Sequence, residues 1–189
     1  RKTLNYLFKN NGDLTFSKSS INWGITKPTF SNGAAYADLD NDGDIDILLV
    51  GDNRSYLYYN QLNDPVGGVG VGTANSFVLD LSQSFNTGNG EGTSMVDIDD
   101  DGDIDVLATA TNADDVAWYE NNGSQSFTKH TIDNNFNGVE SIHAIDIDRD
   151  GDIDVVAGAT LGDEIAWWKN DGSQSFTKQS VVTGFDDAK

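Results

Sequence analysis

One nine-residue pattern, present three times, limits what this chain can fold into more than anything else in it. The copies are Asp38-Leu39-Asp40-Asn41-Asp42-Gly43-Asp44-Ile45-Asp46, Asp97-Ile98-Asp99-Asp100-Asp101-Gly102-Asp103-Ile104-Asp105 and Asp146-Ile147-Asp148-Arg149-Asp150-Gly151-Asp152-Ile153-Asp154. Carboxylates at alternate positions repel one another when packed, most strongly where water is displaced. A hard divalent cation relieves that repulsion. The sixth-position glycine supplies the torsion that lets the loop curl around such an ion. Calcium suits the site because it accepts six to eight oxygen donors in a forgiving geometry, whereas magnesium needs a tighter octahedron.

The pattern therefore predicts about three Ca2+ ions, one per loop. Side chains at the first, third, fifth and ninth positions are the expected ligands: Asp38, Asp40, Asp42 and Asp46; Asp97, Asp99, Asp101 and Asp105; Asp146, Asp148, Asp150 and Asp154. The seventh residue, Asp44, Asp103 or Asp152, offers its backbone carbonyl. The alternative for a single copy is a solvated acidic turn without metal, which three near-identical copies disfavour.

The likeness to an EF-hand loop ends at the glycine. Its twelfth position, which an EF-hand fills with a bidentate Glu, is Leu49, Ala108 or Ala157 here. The segments leaving the loops, Ile45 to Val50, Ile104 to Ala108 and Ile153 to Ala157, are rich in Val, Ile and Leu and read as strands. The loop is expected to join two strands.

The repeat is larger than the loop. Asp97 and Asp146 are 49 residues apart, and Ala117 to Lys129 recurs almost unchanged as Ala166 to Lys178. Within one period the pattern predicts four strands: 141–146, 153–160, 164–169 and 175–182. Asn-Gly and Asn-Asp-Gly between the last two are hairpin-turn signals. Four short antiparallel strands in 40 to 50 residues is the arithmetic of a β-propeller blade. The expected fold is all-β: about three full blades and a half-blade, part of a larger propeller.

The expected divisions are 1–30, a half-blade of third and fourth strands with a connection; 31–90, a blade with a glycine-rich insertion at 64–72; 91–139, a blade; and 140–189, a blade and the start of the next connection. Phe185 matches Phe136, so another loop is expected soon after Lys189. Stacked repeats bury their faces against neighbours, so either further blades of a longer chain or self-association is expected.

The 189 residues allow one domain with a substantial core. The formal charge is −20, and the loops hold five, six and five of the 31 acidic residues. Such a surface argues against nucleic acid and anionic membranes as partners. No apolar run suffices for membrane insertion. The absence of cysteine rules out thiol catalysis and thiolate metal sites. Arg1 in place of Met, with no signal-peptide pattern, suggests a mature or excised piece. Calcium loops are most useful where calcium is plentiful, so an extracellular or cell-surface location is expected.

These loops and their flanking strands resemble the FG-GAP and VCBS-type repeats, the calcium-binding propeller blades of integrin α-subunit heads and of many secreted bacterial proteins. The resemblance implies one calcium in the loop between the first two strands of each blade, held by the first-, third-, fifth- and ninth-position aspartates named above. The family's Gly-Ala-Pro after the second strand is Gly158-Ala159-Thr160 in the last unit and is absent elsewhere. The bacterial form is therefore the nearer one.

Trp118 and Trp167, with Tyr119 and Trp168 beside them, are expected to fill gaps between blades. Sugar stacking is the alternative use. Trp23, in a connection, is the expected exposed aromatic. His130 and His143 are unrepeated and read as surface or packing residues. Glu91 and Glu140 recur once per blade, which favours structure over acid-base work. Asn53-Arg54-Ser55 and Asn122-Gly123-Ser124 fit a glycosylation pattern. No constellation reads as catalytic. The expected function is a non-enzymatic, calcium-binding module for adhesion or molecular recognition, with a protein or glycan ligand at a propeller face. The alternative is carbohydrate binding, as a lectin or as a domain of a polysaccharide-degrading enzyme.

Overall fold

The computed structural model describes residues 3–51, 55–61, 77–80, 85, 92–124 and 126–184. The glycine-rich insertion, Asn53, Glu91 and Phe185 lie outside them. Within them the regular structure is all strand apart from one short 3-10 turn, Thr111–Ala113.

The chain begins with β1 (Thr3–Leu4), β2 (Phe8–Asn10), β3 (Phe16–Lys18) and β4 (Pro28–Thr29). β2 and β3 form an antiparallel hairpin, and β1 pairs with β4. Three four-stranded antiparallel meanders follow. The first contains β5 (Ser31–Ala37), β6 (Asp46–Gly51), β7 (Tyr56–Asn60) and β8 (Phe77–Asp80). The second contains β9 (Thr93–Val96), β10 (Asp105–Ala110), β11 (Asp115–Asn121) and β12 (Phe127–Asp133). The third contains β13 (Val139–Ile145), β14 (Asp154–Ala159), β15 (Glu164–Asn170) and β16 (Phe176–Thr183). Each acidic loop joins the first strand of a meander to the second, as its flanking residues predict. The first strands meet, β5 against β9 and β9 against β13, so the sheets are arranged as propeller blades.

Period-two alternation on the third strand explains how the blades cohere, because neighbouring side chains point to opposite faces. Trp118 enters the layer shared with the third blade, beside Trp168 and Leu107. Its neighbour Tyr119 enters the layer shared with the first blade, beside Leu48, Leu57 and Val106. Each Leu or Phe buried in these layers contributes roughly 1.5–3 kcal/mol. Aromatics from the connections complete them: Phe136 meets Trp168 edge-on at 4.9 Å, and Phe85 meets Tyr119 edge-on at 5.0 Å. Trp167, by the same alternation, lies on the outer face of the third blade and is half-buried.

Trp23 corrects an expectation. It is half-buried against Ile25, Leu49 and Tyr58, between the amino-terminal hairpin and the first blade. The connection dips inward there, as those carrying Phe85 and Phe136 do. Among the described residues the exposed aromatics are instead Tyr36, Phe16, Tyr6, Phe8 and Phe30.

Candidate metal centres

Each loop curls over its own first carboxylate. Asp38 accepts hydrogen bonds from the backbone N–H groups of Asp42 (3.2 Å) and Gly43 (3.0 Å). Asp97 does the same for Asp101 (3.2 Å) and Gly102 (3.0 Å). The fifth carboxylate turns back on the seventh N–H, Asp42 on Asp44 at 2.8 Å and Asp101 on Asp103 at 2.9 Å. The glycine torsions, +90°, +97° and +103° at Gly43, Gly102 and Gly151, are open to few other residues. No atom stands within 4 Å of a Cβ built there, so backbone torsion alone demands glycine.

Curling brings the first, third and fifth carboxylates together. One oxygen each from Asp38, Asp40 and Asp42 lies within 4.8 Å of the others, and the same holds for Asp97, Asp99 and Asp101. In the third loop the converging group is Asp146, Asp148 and Asp154. The seventh-position side chains stand outside these groups: those of Asp103 and Asp152 lie where a Cβ on Gly123 or Gly172, in the hairpin turn of the same blade, would meet them. Asp103 also accepts a 2.6 Å bond from Asn41 Nδ2 of the preceding blade.

The ninth aspartate is tied to the backbone, and in the first two loops it stands outside the converging groups. Asp46, Asp105 and Asp154 are fully buried. Both oxygens of each accept a backbone N–H: one from the second loop residue, the other from the last residue of the third strand. For Asp105 the donors are Ile98 (3.0 Å) and Asn121 (2.8 Å). Leu39 and Asn60 serve Asp46, and Ile147 and Asn170 serve Asp154. This aspartate clasps the start of the loop to the far strand.

The profile of the FG-GAP-like repeat matches residues 2–49 and 97–157, more than half of the chain. The chain belongs to the FG-GAP-like repeat family. Comparison with curated proteins finds no significant match. Among solved structures, an Agrocybe aegerita lectin described for its specific recognition of non-reducing terminal N-acetylglucosamine is similar. The likeness covers 96% of this chain and 47% of the lectin, with 19% identity and a TM-score of 0.54. It is a likeness of fold and agrees with the blade arrangement; this chain spans about half of the lectin's length.

The FG-GAP-like loops carry a donor set that fits a hard cation. Two carboxylate oxygens, Asp42 Oδ2 and Asp99 Oδ1, are shielded from solvent and have no hydrogen-bond partner among the described residues. Orphaned buried oxygens are costly and call for a partner. Burial, followed by neighbouring acids, raises the pKa of Asp42 and Asp99 above the ordinary carboxylate range. For Asp99 those acids are Asp101, Glu120 and Asp97. Burial also pushes Asp46 and Asp105 up to about 7, although two N–H donors oppose the shift in each. When bound, a divalent ion would supply the positive charge that these carboxylates lack.

One group of functional residues escapes the search for acids. Asn121 Nδ2 donates to Ile104 O of its own loop (3.0 Å) and to Leu39 O of the preceding FG-GAP-like loop (2.8 Å). Asn170 repeats this with Ile153 O (3.1 Å) and Ile98 O (3.4 Å). These asparagines tie adjacent loops together. Their signal was present in the sequence, since Asn121 and Asn170 close the two copies of the third-strand repeat. His130 stacks on Trp118 at 4.6 Å and hydrogen-bonds Glu120 at 2.7 Å, a packing arrangement on the blade edge. His143 is exposed on β13. Glu140 accepts a bond from Thr160 Oγ1 at 2.8 Å, which ties the first strand of its blade to the end of the second.

Proposed function

We propose that this chain is a calcium-stabilised β-propeller module of a secreted or cell-surface protein, acting in molecular recognition rather than catalysis. The observation that carries the reading is the pair of orphaned, shielded oxygens at Asp42 and Asp99, set in loops whose every candidate donor is a hard oxygen. The cation would hold each loop closed, and with it the contact between one loop and the next through Asn121 and Asn170. Recognition would then use surfaces presented by a stiffened blade array. Differential scanning calorimetry tests this: millimolar calcium should raise Tm by many degrees over the chelated protein, and magnesium should do much less. Superimposable melting curves with and without calcium would remove the reading.

A second reading is carbohydrate binding. It is favoured by a cavity of about 730 Å³ between the link from β1 to β2 and the first blade, lined by Tyr6, Tyr36, Asn5 and Asn60 among others. Tyr36 and Tyr6 are 74% and 60% exposed, so their rings are open to stacking on a sugar. N-acetylglucosamine, the terminal sugar recognised by the lectin of similar fold, is the first ligand to titrate. Tyr36→Ala should abolish any binding, and no heat from this or other glycans would favour a protein ligand. The outer face of the third blade suits a further blade or a second copy, because Ile147 is 41% exposed where its counterparts Leu39 and Ile98 are 0% and 3%. Light scattering with and without calcium would reveal self-association.

A further inference from the structure

The residue before the asparagine that ends the third strand differs in every blade: Tyr59, Glu120 and Lys169. In the third blade, Lys169 Nζ reaches across to the acidic loop and pairs with both Asp148 and Asp150, the latter at 2.8 Å. The loop is rearranged around it. Asp150, whose counterparts Asp42 and Asp101 belong to the converging groups of their loops, is replaced in that group by Asp154. The first carboxylate, Asp146, accepts from the fourth N–H, Arg149 at 2.7 Å, rather than from the fifth. The first and second loops each contain a buried carboxylate oxygen without a partner, and the third contains none among the described residues.

We infer that Lys169 acts as a built-in counter-cation which makes the third loop the weakest of the three divalent-cation sites, filled only when the ammonium is displaced. The inference rests on the reading of these loops as cation sites. Its physical basis is direct: an ammonium bonded to two of the candidate ligands must leave them before a divalent ion can use both, and the two cations repel at this range. The second loop, with Glu120 at the same place, has an additional carboxylate instead. One chain would then respond to calcium in two stages, with the third blade tightening last.

Calorimetric titration of the whole chain with calcium, alongside Lys169→Met and Lys169→Glu, tests this. The wild type should show two tight sites and one at least about tenfold weaker, the spread expected from roughly one unfavourable charge contact at the site. Lys169→Met should strengthen the weak site by about that factor, Lys169→Glu by more, and neither should move the two tight sites. NMR of the lysine side-chain amines on the wild type gives an independent readout: one resonance should shift only in the final stage of the titration. Three equivalent wild-type sites left unchanged by both substitutions, or a lysine resonance unmoved at saturation, would overturn the counter-cation role while leaving cation binding intact. No calcium uptake by any of the three proteins would instead overturn the underlying reading, and this inference with it.

Discussion

Beside the second loop, the residue ahead of the asparagine that ends the third strand is Glu120; beside the third it is Lys169. The two loops differ in how the first and fifth carboxylates are bonded, but they share the bonds that fix them to the blade. Asp105 and Asp154 clasp the same two kinds of N–H, and Asn121 and Asn170 reach the same carbonyls. The charge balance is opposite. In the second loop Glu120 adds to the burial and like charges that raise Asp99, whereas in the third the Lys169 ammonium holds Asp150 below the ordinary carboxylate range. The backbone frame of an FG-GAP-like loop is therefore separable from its electrostatics. Backbone N–H groups and two recurrent side chains set the frame, and one variable position changes the charge that the loop carboxylates face.

If frame and charge are separable, removing the clasp should be ruinous in both loops alike. Asp105→Ala and Asp154→Ala each leave two N–H groups without an acceptor, so each should cost about 3 kcal/mol or more in urea denaturation without divalent ions. A large difference between them would show that Lys169 props up the frame as well as the charge. The inter-blade asparagines should come next. Asn121→Ala should cost about 1–2 kcal/mol. Asn170→Ala should cost less, because its bond across the blades is 3.4 Å against 2.8 Å.

Most of this frame could be read from the sequence. Loop positions and strand order follow from the acidic pattern and the 49-residue spacing, because both are local and repeat in register. Two things were not legible. The clasp made by the ninth aspartate depends on a backbone N–H fourteen to sixteen residues away, which no local pattern encodes. The inward turn of Trp23 depends on the space between hairpin and blade, filled at the other junctions by Phe85 and Phe136. Lys169 was visible as one departure within the repeat, but its side chain's direction became meaningful only with Asp148 and Asp150 in place.

A smaller effect separates protons from metal at the clasps of the first two loops. Unfolded aspartates titrate near pH 4, whereas burial carries Asp46 and Asp105 to about 7. Between those values the folded chain holds protons that the unfolded chain has lost. Metal-free stability from these groups should therefore fall as pH rises from about 4 to about 7, then level off. Scanning calorimetry of the divalent-free protein should give a Tm several degrees higher at pH 5 than at pH 8, and millimolar calcium should flatten or reverse the trend. A metal-free Tm that climbs across this range would show both clasps ionised throughout, with their N–H donors outweighing burial.

The smallest effect concerns the fourth loop position, where the three copies differ in residue but not in backbone. Asn41, Asp100 and Arg149 all have left-handed torsions, with φ of 58°, 61° and 64°. Asn and Asp enter that region readily, but a long side chain without their local hydrogen bonding pays more. Arg149→Asn should therefore stabilise the third blade by up to about 1 kcal/mol. Because it leaves Lys169 and all five loop aspartates in place, it should not strengthen the weakest calcium step by a comparable amount. A gain in calcium affinity as large as that of Lys169→Met would show that Arg149 shares the counter-charge, and the third loop would then owe its weaker affinity to two cations rather than one.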